Sequence, residues 1–107
     1  MGFMPEASYG QTNRWLTVMT LDSAQISITP MKLIEALEAE NIEARPVWKP
    51  MHLQPLFADC MYFTHGENES VSDRLFSRGV CLPSGSSLTL EKQQRVITIV
   101  RHKLLGD

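Results

Sequence analysis

Three prolines within the fifteen residues Glu43 to Phe57, EARPVWKPMHLQPLF, constrain this chain more than any other feature. Pro46, Pro50 and Pro55 each fix φ, remove a backbone donor and push the preceding residue towards an extended conformation. The stretch is therefore expected to run extended or as stiff turns, with no regular helix before His52. It also gathers Arg45, Trp48, Lys49 and His52. Arginine and lysine are donors of different geometry, tryptophan offers a flat face, and histidine can donate or accept. That assortment suits an anionic ligand carrying a ring. The plainer reading is a stiff connector pinned by Trp48.

The flanking segments carry ordinary secondary-structure signals. Residues 1–14 are polar and turn-rich, which predicts a loosely held arm. Trp15 to Leu21 is rich in β-branched and aromatic residues and reads as a strand, apolar enough on both faces to lie inside a sheet. Asp22-Ser23 reads as a turn, followed by the alternating Ile26 and Ile28. Thr29-Pro30 marks a helix start, a hydroxyl at the N-cap and proline at the first helical position. Leu33, Ile34 and Leu37 give that helix its apolar face, and Asn41 its stop. Ile42 to Trp48 reads as a short strand, placed at an edge by Pro46.

Beyond the prolines, Gln54 to Asp59 predicts one helical turn, and Cys60 to Ser70 a loop with Gly66 and Asn68 as turn residues. Ser70 followed by Asp73 resembles a capping box for a helix bearing Val71, Leu75 and Phe76 and ended by Gly79. Val80-Cys81-Leu82 reads as a buried strand stopped by Pro83-Ser84-Gly85. Thr89 caps a last helix with Val96, Ile97, Val100 and Leu104 on one face and Arg95, Arg101 and Lys103 away from it. Strands that are few and short, alternating with helices, predict an α/β (α+β) two-layer sandwich: a small antiparallel or mixed sheet with helices packed on a face.

Composition narrows the function classes. The chain has 107 residues, enough for one domain that buries roughly two-thirds of its unfolded surface. A net charge of −2 gives no broad footprint for nucleic acid or an anionic membrane. No apolar run approaches the ~20 residues of a spanning helix, and the opening MGFMPEASYG lacks the charged-then-apolar order of a signal peptide. The two cysteines, Cys60 and Cys81, have no CxxC spacing, which favours free thiols in a reducing compartment.

No catalytic constellation follows from spacing. Ser84-Gly85-Ser86-Ser87 is no phosphate loop, since no lysine follows, although amides in such a turn can meet an anion. His52, His65 and His102 share no ligand spacing, so no metal site is expected. Lys49 would serve as a Schiff-base amine only if desolvated or set beside another cation.

Three segments together resemble one family. NRWLTVMTLD (13–22), NIEARPVWKPMHLQPLF (41–57) and VSDRLFSRGVCLPSGSSLTLEKQQRVITIV (71–100) are similar to the carboxy-terminal domain of the DegT/DnrJ/EryC1/StrS aminotransferases. The resemblance runs from about Phe3 to Leu105 and is closest to the branch that makes amino sugars for bacterial glycans. It implies a pyridoxal 5'-phosphate-dependent parent that moves an amino group, usually from glutamate, onto a nucleotide-linked keto sugar in the cytoplasm. The family's cofactor lysine, the acid opposite the pyridine nitrogen and the phosphate-binding groups belong to a large amino-terminal domain without counterpart in these residues. Residues 1–14 are then the connection from that domain and 15–107 the small domain, in a homodimer when full-length.

On that resemblance the chain carries no catalytic, cofactor-binding or metal residue of its own, and no activity or bound cofactor is expected of it alone. It contributes part of the substrate wall. Arg45, Lys49 and His52 become candidates for phosphate or sugar oxygens of a substrate expected to be UDP-linked, Trp48 for stacking, and Asn13 and Arg14 for further contacts. Two other readings stay open: a stand-alone small-molecule-binding or regulatory module, and a nucleic-acid-binding domain, against which the acidic balance argues.

Overall fold

The computed structural model describes residues 1–22, 24–66 and 69–106. Its frame is a four-stranded antiparallel sheet, β1 (Gly2–Phe3), β2 (Thr17–Thr20), β3 (Arg45–Pro46) and β4 (Gly79–Leu82), in the order β1-β2-β4-β3. Among the described residues three α-helices accompany it, α1 (Pro30–Glu38), α2 (Val71–Arg78) and α3 (Leu90–Leu105), with single 3-10 turns at Met51–Leu53 and Pro55–Phe57. Since β2 and β3 both run antiparallel to β4, they are parallel to each other with β4 inserted between, a split β-α-β unit. The expected small α/β sandwich is what forms, with the antiparallel alternative realised throughout.

Register decides which side chains meet. Met19 lies opposite Val80 on the two central strands, and both are fully buried beneath α1 and α3. Leu33, Ile34 and Leu37 of α1 and Val96 and Val100 of α3 complete the core with Leu21 and Ala44. The alternate pairs, Val18 with Cys81 and Arg45 with Cys81, turn to the other face and are not fully covered. So β2 is interior in the sheet but buried on one face only.

The caps follow the sequence. Thr29 Oγ1 accepts from Lys32 N–H, Ser70 Oγ from Asp73 N–H and Thr89 Oγ1 from Lys92 N–H, each satisfying an otherwise orphan helical donor. Asn41 adopts a left-handed φ of 57°, and Ile42 N–H returns to Leu37 C=O at 2.9 Å, closing α1. Gly106 ends α3 at φ 70°.

Four expectations are corrected. The arm 1–14 is not wholly outside the sheet: Gly2 pairs with Thr20 and Phe3 with Met19, adding an edge strand. The strand expected from Trp15 starts only at Thr17, because Arg14 sits at φ 54° and Asn13 Oδ1 accepts from Trp15 N–H, a local turn that breaks extension. On α3 it is Ile99, not Ile97, that joins the core; Ile97 lies about 100° round the helix from Val96 and stays exposed. On α2 no residue is buried, and Val71 and Leu75 are exposed. That helix runs straight into β4 through Gly79, so the junction sets its direction rather than its apolar residues. The turn residues Ser23 and Asn68 lie outside the described residues.

Candidate functional site

A cleft of about 1150 Å³ wraps the edge strand β3. One wall is Asn41 to Lys49, another is Pro83 to Gly85, and the start of α3 closes it with Lys92, Arg95 and Val96. Proximity here is a product of topology. Because β4 is inserted beside β3, the turn after β4 and the helix that follows it are carried to the same edge.

The chemistry of the cleft is cationic rims on apolar walls. Arg45 projects on the open face of the sheet and is gripped by Glu43, whose Oε1 lies 2.7 Å from Nε and 2.5 Å from an Nη. Both partners are exposed, so a competing anion can take the guanidinium over at little cost. Arg95 is more committed: one Nη donates to Glu40 C=O at 2.7 Å and meets its carboxylate at 3.1 Å, tying α3 to the end of α1. Lys49 and Lys92 make no ion pair among the described residues. Cys81 opens onto the cleft from β4, and burial pushes its thiol above the ordinary value near 9.0, which keeps it protonated and non-nucleophilic at neutral pH.

Trp48 stands at the mouth, 60% exposed, and faces Trp15, 70% exposed, with ring centroids 6.0 Å apart and planes tilted by 38°. Two large exposed aromatic rings in contact form a surface that is costly to leave in water. Ser84 Oγ donates to Trp15 C=O at 3.0 Å and holds this pair against the β4 turn.

Of the sequence candidates, the structure brings Arg45, Trp48 and Lys49 together in the cleft. It places the other three elsewhere. His52 is turned to α2, with Nε2 2.6 Å from Asp73 Oδ1 and its ring stacked on Tyr62. Asn13 is spent on the turn before Trp15, and Arg14 leans towards Glu6 at 3.8 Å. Sequence reasoning missed Lys92 and Arg95 as cleft residues. Their only local signal is a cation early in α3, after the Ser84–Ser87 turn.

Among the described residues no group of three or more His, Cys, Asp or Glu could hold a metal ion, and no helix is long and apolar enough to cross a membrane.

A profile of the DegT/DnrJ/EryC1/StrS aminotransferase family matches residues 2–101. The chain belongs to this family. EpsN of Bacillus subtilis (strain 168), named provisionally as a pyridoxal phosphate-dependent aminotransferase, is 49% identical over 100 residues, which cover 94% of this chain and 25% of EpsN. The chain thus spans about a quarter of the length of that curated relative. Helicobacter pylori PseC, described as an aminotransferase involved in the biosynthesis of pseudoaminic acid, superposes with a TM-score of 0.69 at 16% identity, over 86% of this chain and 24% of PseC, a likeness of fold alone. A DegT DnrJ EryC1 StrS aminotransferase from Brucella abortus gives a TM-score of 0.68 at 25% identity, over 86% of this chain and 22% of that one.

Membership raises the question of pyridoxal phosphate. A cradle for it needs a shielded amine, an acid facing the ring nitrogen and donors for the phosphate. Lys49 is exposed on the cleft rim, and Glu43, the carboxylate there, is taken by Arg45. The residues of this cleft do not fit the cofactor.

Proposed function

We propose that this chain is the small domain of a pyridoxal phosphate-dependent aminotransferase that acts on a nucleotide-linked keto sugar, with glutamate as amino donor, and that its cleft is part of the substrate wall. The observation that carries the reading is the convergence of Arg45, Trp48 and Lys49 on one cleft in a chain that matches the family from residue 2 to 101. Arg45 and Lys49 meet the charged oxygens of the substrate, with Arg45 exchanging Glu43 for the ligand. Trp48 covers a ring. His52, Asn13 and Arg14 support this wall from outside the cleft.

Residues 1–14 are then the connection to a large domain that brings the cofactor, and 15–107 the small domain. The parent works as a cytoplasmic homodimer making amino sugars for bacterial glycans, with a UDP-linked substrate. Exposed Trp15, Trp48, Leu56, Met61 and Phe63 give the chain an apolar surface suited to packing against that large domain. By itself the chain binds but does not transaminate.

The test is a titration of the 107-residue chain with UDP and a UDP-linked amino sugar, read by tryptophan fluorescence and repeated on Trp48→Ala. Saturable binding that Trp48→Ala abolishes is expected. Absence of binding by the folded chain would remove the wall from this chain's own properties and leave only family membership.

A further inference from the structure

The proline-rich segment that presents Trp48 and Lys49 leaves the sheet at Val47, whose N–H reaches Gly79 C=O at 3.4 Å. From there to Cys60 its described hydrogen bonds are local. Leu53 N–H returns to Pro50 C=O, Gln54 N–H to Met51 C=O, Phe57 N–H to Gln54 C=O and Cys60 N–H to Phe57 C=O. The Gln54 amide closes on Lys49 C=O at 3.1 Å. Bonds of this kind shape the segment but do not fix where it lies on the molecule.

One polar contact does. His52 Nε2 lies 2.6 Å from Asp73 Oδ1, and the imidazole is only 16% exposed. At that separation Nε2 faces the carboxylate oxygen directly, a ring nitrogen that can donate against an oxygen that accepts. Both atoms are shut away from solvent, and their alignment falls short of a good hydrogen bond, so neither has an alternative partner in place. The opposite side of the contact is equally constrained. Tyr62 stacks on the imidazole with centroids 3.6 Å apart and planes within 16°, and its hydroxyl lies 2.8 Å from Ser70 Oγ and 3.2 Å from Ser72 Oγ. Ser70 is also the N-cap of α2, and Asp73 donates its own N–H to it. The imidazole therefore joins three pieces of chain: the proline-rich segment, the loop after it and the first turn of α2.

We propose that His52 is a positioning residue for the cleft: clamped between Asp73 and Tyr62, it holds the segment so that Trp48 and Lys49 stand at the cleft mouth in one arrangement. The inference rests on the reading of the cleft as a ligand wall, and it gives the histidine a task other than touching the ligand. Prolines make the segment stiff, and beside its apolar anchors, buried Pro50 and the Trp15–Trp48 contact, the His52 contact ties it to α2 near its middle. Without that contact the segment keeps its local turns and apolar anchors but loses its tie to α2, and Trp48 gains freedom.

The experiment uses the whole chain in a Trp15→Phe background, so that Trp48 is the only tryptophan. Time-resolved anisotropy of Trp48 is recorded for His52→Ala, Asp73→Ala and Asp73→Asn, and each is titrated with UDP. Both alanine variants are expected to let Trp48 move faster while far-UV circular dichroism stays unchanged. Their apparent Kd should rise about tenfold, the penalty for a segment in its competent position about a tenth of the time. Asp73→Asn, which keeps the side-chain shape and an oxygen beside Nε2, should restore most of both signals. The double alanine variant should be no worse than either single one. A structural role alone would lower the melting temperature without freeing Trp48. Unchanged anisotropy in both alanine variants overturns the proposal, whatever UDP does. Failure of the parent chain to bind UDP sinks the ligand-wall reading instead, and with it the cleft role proposed for His52. Should His52→Ala not fold, the two Asp73 variants decide.

Discussion

Gly79 is the joint on which the cleft wall hangs, and Gly79→Ala is the sharpest test of the packing around it. Its φ of −93° and ψ of 143° suit any residue, so the substitution probes space and not backbone freedom. A methyl group there would stand 2.2 Å from Val47 Cγ2, 2.6 Å from Leu75 C=O and 3.0 Å from Val47 Cβ. The valine could turn one methyl away. The carbonyl belongs to α2 and cannot move without moving the helix. Overpacking of a filled site costs about 1–3 kcal/mol, and a clash with backbone places this one at the upper end. For a domain near 100 residues each kcal/mol is worth roughly 4–8 °C, so melting should fall by roughly 10–20 °C. Thermal and urea denaturation followed by circular dichroism measure it. Val47→Ala in the same background removes the 2.2 Å contact but not the carbonyl, so only part of the loss should return. A Gly79→Ala protein as stable as the parent would refute the packing argument. Since Val47 precedes Trp48, the variant should also disturb the tryptophan emission.

Thr29→Ala and Thr89→Ala each remove a side-chain acceptor at a helix start and should cost about 1 kcal/mol, adding when combined because the two caps share no partner. Leu37→Ala empties a fully buried position and should cost about 2–5 kcal/mol in urea denaturation. Cys60 is exposed whereas burial raises the Cys81 thiol above 9.0, so iodoacetamide at pH 8 should modify Cys60 first, as peptide mass spectrometry will show. Because that shift favours the protonated thiol in the folded state, its contribution to stability is intact below the ordinary value near 9.0 and declines as pH rises towards the folded value. A Cys81→Ala protein should lose that alkaline decline and keep the rest of its pH profile.

How much of this molecule is legible in its sequence depends on how far away the deciding partner lies. The helix starts at Thr29, Ser70 and Thr89 are legible because an N-cap hydroxyl and the amide it accepts from are three residues apart. Asn41 is legible for the same reason, its left-handed turn closing on its own helix. β1 is not, since two residues carry no periodicity and Gly2–Phe3 become a strand only through Thr20 and Met19. Val71 and Leu75 show the converse: their spacing describes a helical face correctly but is silent about what covers it. The candidate site divides along the same line. Arg45, Trp48 and Lys49 are neighbours in sequence and so are seen together, while Lys92 and Arg95 reach them only through the inserted strand. Residue type told what His52, Arg14 and Arg95 could donate, but their partners Asp73, Glu6 and Glu40 determine how much of that capacity is left. Availability, then, is a tertiary property even where identity is local. It follows that Lys49→Ala and Lys92→Ala should weaken anion binding outright, whereas Arg45→Ala also frees Glu43 at the cleft and adds a repulsive carboxylate. Arg45→Ala together with Glu43→Gln should therefore bind better than Arg45→Ala alone. Were the two equal, Glu43 would not be holding Arg45 in reserve, and the exchange of that carboxylate for a ligand anion at the heart of the proposed site would have no basis.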